Sequence, residues 1–400
     1  MSKSGGGEIG KKNGMLVGRK KKSGPPWDWP RAAYVHVPFC AHHCGYCDFA
    51  VVTGQDQRID LYLQALFAEL ATLKKPQPIE TLFLGGGTPT YLDGEHLERL
   101  LREFAKWLHF RTDYEFTVEA NPDTLDPPKI DLLADYGVNR ISLGVQSFQP
   151  KLLRILERQH QPSQIPRVVE WIKSRIDEVS MDLIFGVPGE TVEDWDLDLA
   201  QALALEPDHL STYGLTYEKG TRLWKQREMG IVKSLSETAE LALYEHALDV
   251  LEAAGFEQYE ISNHARPGHR CRHNQVYWAN HAYFGFGLGA TRYVNGCRRT
   301  NVRNMADYLR KALSGASTAS QEEVLTPRER ARETMAIQLR RSEGIQRRSF
   351  QEQTGFALEV LAGPVIARQV ELGILLDDGE NVRLTRKGKF VADTVIENLL

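Results

Sequence analysis

The chain has 400 residues, 42% hydrophobic and 26% charged, which supplies core for about two to three domains and excludes wholesale disorder. Its 49 basic against 53 acidic residues leave a net charge of −4, which opposes nucleic-acid binding by bulk electrostatics. No apolar run reaches the length of a membrane span, and the patch Met15-Leu16-Val17 is too short for a signal-peptide core, so a cytoplasmic protein is expected. The charge is uneven, with eight basic and two acidic residues within 1–31.

In chain order, residues 1–30 are rich in glycine and lysine and read as a disordered basic leader. Short β-branched runs then alternate with segments of 3.6-residue period. Strands are expected at 33–37, 81–84, 114–118, 140–145, 179–187 and 209–216. Helices are expected at 59–73, 95–108, 127–136, 162–173, 192–203 and 237–254. This alternation implies an α/β fold with a parallel sheet, and six units form a partial (β/α)6 barrel, expected over 31–300. A connecting segment follows over 301–325, its polar stretch 314–323 reading as a linker. Thr326-Pro327-Arg328-Glu329 looks like a capping box opening a C-terminal domain over 326–400. Three helical segments and a hairpin around Asp378-Gly379 make that domain helical and winged-helix-like.

Five cysteines make no disulfide framework, and three of them crowd into Cys40-Ala-His-His-Cys44-Gly-Tyr-Cys47, directly after the first strand. Three thiolates on one loop can ligate three irons of a four-iron cluster and leave the fourth iron open. A zinc site completed by His42 or His43 is the competing chemistry. Further polar groups recur at strand ends: Gly85 to Thr88 after the second strand, Glu119 and Gln146 closing the third and fourth, and Asp182 on the fifth. Parallel β/α barrels gather functional groups at the carboxyl ends of their strands, so these residues should share one mouth.

The cysteine spacing resembles that of the radical S-adenosylmethionine (SAM) enzymes. Tyr34-Val-His-Val-Pro-Phe-Cys40, Gly85-Gly-Gly-Thr-Pro-Thr90, Glu119-Ala-Asn-Pro122, the run from Gly137 to Ser147 and that from Asp182 to Gly189 narrow the resemblance to the oxygen-independent coproporphyrinogen oxidase family. It extends from about residue 32 to the C-terminus. The resemblance implies a [4Fe-4S] cluster on Cys40, Cys44 and Cys47, with SAM chelated to the open iron. It further implies Gly86, Gly87 and Thr88 against the methionine part of SAM, and Glu119, Gln146, Arg158 and Asp182 hydrogen-bonded to it. Tyr34 is expected to flank the cluster, and Tyr46 is counted with the cofactor-binding residues.

The oxidases of that family carry a further cysteine two places after the third, where this chain has Phe49, which can neither ligate nor donate a proton. They also have an ordered N-terminal arm, whereas this chain offers the Gly/Lys leader. Both departures resemble the HemW branch, the haem chaperones, and leave the porphyrinogen oxidase as the alternative. His273-Asn-Gln-Val-Tyr277-Trp278 is similar to the H-N-x-x-Y-W motif associated with haem binding in that branch. An imidazole such as His273 can be an axial iron ligand, and Tyr277 and Trp278 can cover an apolar macrocycle. His264, His269 and His281 compete for the ligand role, and Cys271 and Cys297 read as structural or free thiols. The partners implied are haem, a haem-acceptor protein, and an electron donor if SAM is cleaved. No nucleic acid is expected, because the segment 365–373 offers Arg368 but also Glu371, a poor phosphate surface. No membrane span is expected either, although peripheral contact with a membrane-bound acceptor is compatible with the sequence.

Overall fold

Residues 24–400 are described by a computed structural model, and the six strands expected from alternating, β-branched runs all form. In chain order the first part contains β1 (Ala32–Val37), α1 (Ile59–Ala71), β2 (Gln77–Gly86), α2 (Gly94–Trp107), β3 (Leu108–Ala120), α3 (Pro127–Asp135) and β4 (Arg140–Gln146). It continues with α4 (Pro150–Ile155), α5 (Ile165–Lys173), β5 (Glu178–Phe185), α6 (Val192–Ala204) and β6 (His209–Gly214). Then come α7 (Arg222–Glu228), α8 (Glu237–Ala253), β7 (Glu257–Gln258), β8 (Asn263–Ala265), α9 (Arg272–Trp278) and β9 (Phe284–Phe286).

The nine strands make one sheet in the order β7-β8-β6-β5-β4-β3-β2-β1-β9. Strands β1 to β6 pair in parallel, β9 adds in parallel to β1, and β8 and β7 add antiparallel at the far edge. The sheet is therefore an open, partial barrel. Alternate side chains go to opposite faces of a strand. Val35, Leu82, Leu84, Phe116, Val118, Ile141, Leu143 and Met181 belong to one continuous apolar core with the helices. The other register positions are polar yet buried: Thr117, Arg140, Ser142, Ser180, His209 and Ser211. Buried polar groups need partners, and several of these have them, as in the Ser180–His209–Tyr259 chain at 2.8 and 2.8 Å and the Ser142–Asp182 bond at 3.1 Å. A polar interior is thus built from the strand pattern itself.

Two boundaries differ from the sequence expectation. Residues 1–23 of the expected leader lie outside the described residues, but residues 25–29 make a turn packed on the barrel. Trp29 stands edge-on to Phe284, Ala282 N–H donates to the Pro26 carbonyl, and Arg330 donates to the Trp27 carbonyl. The two tryptophans have apolar surface to bury, which the Gly/Lys run before them lacks. The expected linker within 301–325 is also folded. An antiparallel sheet of β10 (Thr291–Val294), β11 (Cys297–Asn301) and β12 (Ala319–Val324) takes in its last residues, with α10 (Met305–Leu313) between β11 and β12. Strand β12 is exposed along most of its length, so its polar sequence shows no alternation. Pairing with β11 and the cross-strand pairs Arg298–Glu323 and Arg299–Glu322, at 2.7 and 2.8 Å, hold it.

The C-terminal part has α11 (Pro327–Gln338), β13 (Ile345–Gln346), α12 (Arg347–Thr354), α13 (Leu358–Glu371), β14 (Leu375–Asp377), β15 (Asn381–Leu384), α14 (Arg386–Phe390) and α15 (Ala392–Glu397). Its core is its own, around Met335, Phe350, Leu361 and Val382. The Thr326/Glu329 capping box forms, the Asp378-Gly379 turn joins β14 and β15, and the order of helices and strands is that of a winged helix. Among the described residues no helix is long and apolar enough to cross a membrane.

Candidate functional site

The chain leaves β1 at Val37 and forms the cysteine loop over the carboxyl ends of the strands. Backbone bonds pin this loop on both sides: Cys40 N–H to Val52 O, Gly45 N–H to Leu156 O after α4, and Leu223 N–H in α7 to Gly45 O. Cys40, Cys44 and Cys47 line one cavity of about 400 Å³. Thr88, Glu119, Gln146, Arg158 and Asp182, expected at this mouth from their strand positions, line the same cavity, as do Gly86, Gly87 and Tyr46.

Local backbone explains several of these placements. A Cβ on Gly86, whose φ is +108°, would meet the His36 ring at 2.3 Å, and one on Gly87 would meet the Pro38 carbonyl carbon at 2.7 Å. Glycine is therefore required for β2 to end this close to the cysteine loop. The ladder between β4 and β5 shifts register between Gly144 and Gln146, and Gln146 has φ +63°. That irregularity leaves the Gly144 carbonyl to accept from Arg158, at 2.6 Å, and sets Gln146 at the cavity wall.

The donor set fits an iron–sulfur cluster. Burial pushes the Cys40 thiol up to about 11 and the Cys47 thiol up to about 12, so both stay protonated until a cation displaces the proton. Arg158 brings positive charge to 3.6 Å from Cys44 Sγ while its other amino group is fixed by Asn121, and Thr88 Oγ1 lies 3.5 Å from Cys40 Sγ. The zinc alternative loses its fourth ligand: His42 pairs with Glu157 and His43 bonds the Cys47 carbonyl. Among the described residues no three His, Cys, Asp or Glu side chains converge on a single-ion volume. Thiols spread around a cavity suit a cluster whose thiolates attach to separate irons. Deeper in the same wall, burial and then the neighbouring Asp182 raise Glu119 to about 7, although Gly86 N–H donates to it at 2.9 Å. Asp182 is itself raised by burial and accepts from Ser142 at 3.1 Å.

Tyr34 does not line the cysteine cavity. It lies mid-strand with its hydroxyl 3.0 Å from His36 Nδ1, and it lines a second cavity of about 220 Å³ enclosed by the polar face of the sheet. The two cavities share Phe49, Glu119, Ser142, Asp182 and Tyr213, so they are stacked. Helix α9, carrying the His273 motif, borders the lower one. Its first amides are taken by Glu115 on β3, which accepts from Arg272 N–H and His273 N–H at 2.6 and 3.0 Å. His273 is 1% exposed, with Nδ1 2.8 Å from Thr81 Oγ1 and Nε2 2.9 Å from Tyr277 Oη. Burial lowers it to about 3, so the ring is neutral.

Tyr277 also borders a third cavity of about 320 Å³, with Trp278, Tyr283, Arg298 and, from α11, Ile337. The competing histidines lie elsewhere: His264 is buried on β8, His269 pairs with Glu178, and the His281 ring is 6.3 Å from Trp27. Cys271 is buried against Glu115, and Cys297 lies on β11. Thr81 and Glu115 escaped the sequence reading, and only the inward register of β2 and β3 could have pointed to them.

A partial parallel barrel with three cysteines on the loop after its first strand is a radical SAM fold. Residues 34–201 match the Radical SAM superfamily, and residues 325–391 match the HemN C-terminal domain. "Heme chaperone HemW" of Lactococcus lactis is 36% identical over 93% of this chain and 97% of its own length. That of Bacillus subtilis is 36% identical over 91% and 98%, and that of Escherichia coli 32% identical over 93% and 98%. The chain belongs to the HemW family. Coproporphyrinogen III oxidase (HemN) from Escherichia coli superposes with a TM-score of 0.82 at 22% identity, covering 94% of this chain and 91% of its own, and shares the fold. The radical SAM family uses a [4Fe-4S] cluster and SAM, which the cavity under the cysteine loop fits.

Proposed function

We propose that this protein is a haem chaperone, taking up haem and passing it to an acceptor protein. The observation that carries the reading is Phe49. It stands where the related oxidases have a fourth thiol, lines both stacked cavities and is 60% exposed. Its apolar ring offers the site a contact surface and no proton donor. The curated heme chaperones aligned over nearly the whole chain support the same choice.

In this reading Cys40, Cys44 and Cys47 hold the cluster, and Arg158 balances the negative charge of the thiolates. Gly86, Gly87 and Thr88 present backbone and hydroxyl to SAM, while Glu119, Gln146 and Asp182 orient it with Tyr46 on the wall. If SAM is cleaved, the bound cluster would supply the electron, and an electron donor would then be a further partner. Tyr34, His273, Tyr277 and Trp278 form the haem side of the molecule, next to the aromatic cavity that reaches α11. The proposed setting is the cytoplasm, where thiols stay reduced. The barrel over 31–300 serves as the cofactor body, and 326–400 is a winged-helix-like domain whose α11 borders the aromatic cavity.

The test is a pair of measurements on anaerobically reconstituted protein. Haem titration should give saturable binding, and incubation with coproporphyrinogen III, SAM and reductant should give no product. Turnover above a no-enzyme control would promote the oxidase instead.

A further inference from the structure

A belt of side-chain contacts joins Cys40 to Cys44, and Asn121, in the loop after β3, is its middle. The amide Nδ2–H donates to Thr88 Oγ1 at 2.9 Å, and Thr88 Oγ1 lies 3.5 Å from Cys40 Sγ. On the other side Asn121 Oδ1 accepts from Arg158 Nη2 at 2.6 Å, and Arg158 Nη1 lies 3.6 Å from Cys44 Sγ. Only one orientation of the amide works, because the reverse would set two N–H donors against each other at Arg158. With the amide donating to its oxygen, the Thr88 hydroxyl keeps its own proton for Cys40. Arg158 Nη2 also donates to the Gly144 carbonyl at 2.6 Å, so Nη1 is the end turned to Cys44. A Cβ on Gly144 would come within 3.0 Å of Asn121 Oδ1 and 3.3 Å of Arg158 Nη2, so glycine on β4 leaves the room that the belt occupies. The Asn121 backbone is held separately, its carbonyl accepting from Thr124 N–H at 3.0 Å and its N–H donating to Thr124 Oγ1 at 3.3 Å.

Resting on the assignment of Cys40, Cys44 and Cys47 to a four-iron cluster, and independent of the haem reading, we propose that Asn121 is a positioning residue for the cluster's reduction potential. It acts by holding the Thr88 hydroxyl at Cys40 and the Arg158 guanidinium at Cys44. Ligation removes the thiol protons, which makes both sulfurs acceptors. The belt then ends on a sulfur at each side with a donor, the neutral hydroxyl at Cys40 and the charged guanidinium at Cys44. Reduction adds negative charge to the cluster, so hydrogen bonds to its sulfurs and a nearby cation favour the reduced form. Without the amide, the Thr88 hydroxyl has nothing to orient it and Arg158 Nη2 keeps the Gly144 carbonyl alone. Both donors then spend less time on sulfur, and the potential falls.

The test is a redox titration of the reconstituted full-length chain without SAM or haem, following the electron paramagnetic resonance signal of the reduced cluster. Asn121→Ala should assemble the cluster and make its reduction roughly tenfold less favourable, the lower end of what loss of an outer-shell partner costs. For one electron that is a lowering of about 59 mV. Arg158→Ala should lower the potential as well. The two changes together should give clearly less than their sum, because part of the Asn121 effect passes through Arg158. Asn121→Gln, neutral but one methylene longer, misplaces both ends of the belt and should shift the potential the same way; it carries the test if the alanine variant loses its cluster. A potential equal to wild type in fully loaded Asn121 variants overturns the proposal. So does strict additivity with Arg158→Ala, and so does loss of the cluster in both Asn121 variants, which would make the residue one of assembly. A wild-type chain that assembles no four-iron cluster overturns the cluster assignment itself, which is a separate result.

Discussion

Replacing Glu119 by Gln should flatten the pH dependence of SAM binding. Burial holds the Glu119 carboxyl at about 7, with the charge of Asp182 acting in the same direction. Because this lies above the ordinary carboxyl range, ionisation of Glu119 destabilises the ligand-free fold as pH rises through that window, and a bound cation removes the penalty. SAM carries a sulfonium charge, so the deprotonated carboxylate is the form that attracts it. With a pKa of about 7, roughly a tenth of Glu119 is charged at pH 6 and roughly nine tenths at pH 8. Affinity governed by that charge therefore rises about tenfold across the interval. In Glu119→Gln the slope should vanish, and affinity at pH 8 should fall to about the wild-type value at pH 6. Equilibrium binding of SAM to reconstituted protein at pH 6, 7 and 8, with cluster content checked in each sample, measures this. Equal slopes in the two proteins would refute the reasoning, because the titrating charge would then belong to another group.

Cys44→Ala should abolish four-iron reconstitution while far-ultraviolet circular dichroism stays native, since the loop is held by backbone bonds to Leu156 and Leu223; a complete oxygen-sensitive cluster in the variant would contradict the ligand assignment. Glu69→Ala should destabilise the barrel by about 3–5 kcal/mol, because the 6%-exposed Glu69 accepts from Tyr308, Asn301, Gly287 and Thr318 at 2.7, 2.7, 2.8 and 3.0 Å. Thermal melting should show a drop of several degrees, and an unchanged midpoint would mean the network contributes little. Phe49→Cys should not by itself confer coproporphyrinogen turnover, because a thiol added at an exposed position lacks the rest of an oxidase site; product formation by this variant would show that Phe49 alone separates the two activities.

The six parallel strands were legible because short apolar or β-branched runs alternate with segments of helical period. Strands β7, β8 and β9 were not, since segments of two or three residues hold no period, and β12 was hidden by its polar, exposed sequence. The mouth residues were legible from strand ends, a local property of the chain. Tyr34 lines the second cavity and not that of the cysteines, which its nearness to Cys40 in sequence does not reveal, because the inward register of β1 sets its depth. The partners of His273 are a different case: Thr81 is 192 positions away and Glu115 is 158 away, and neither lies in a recognisable motif. Helix α9 reads as an isolated amphipathic turn until the sheet supplies the carboxylate that caps it and the hydroxyl that orients its histidine.

The central claim is that this chain carries haem rather than making its precursor. Its most direct test loads the full-length protein with ferric haem, removes the unbound excess, and mixes it with the apo form of a haem-dependent protein under anaerobic conditions. The account predicts saturable loading followed by transfer, read as loss of the donor spectrum and appearance of the acceptor's, at a rate that rises with acceptor concentration. Transfer at a rate independent of the acceptor, equal to haem simply dissociating into solvent, would contradict it.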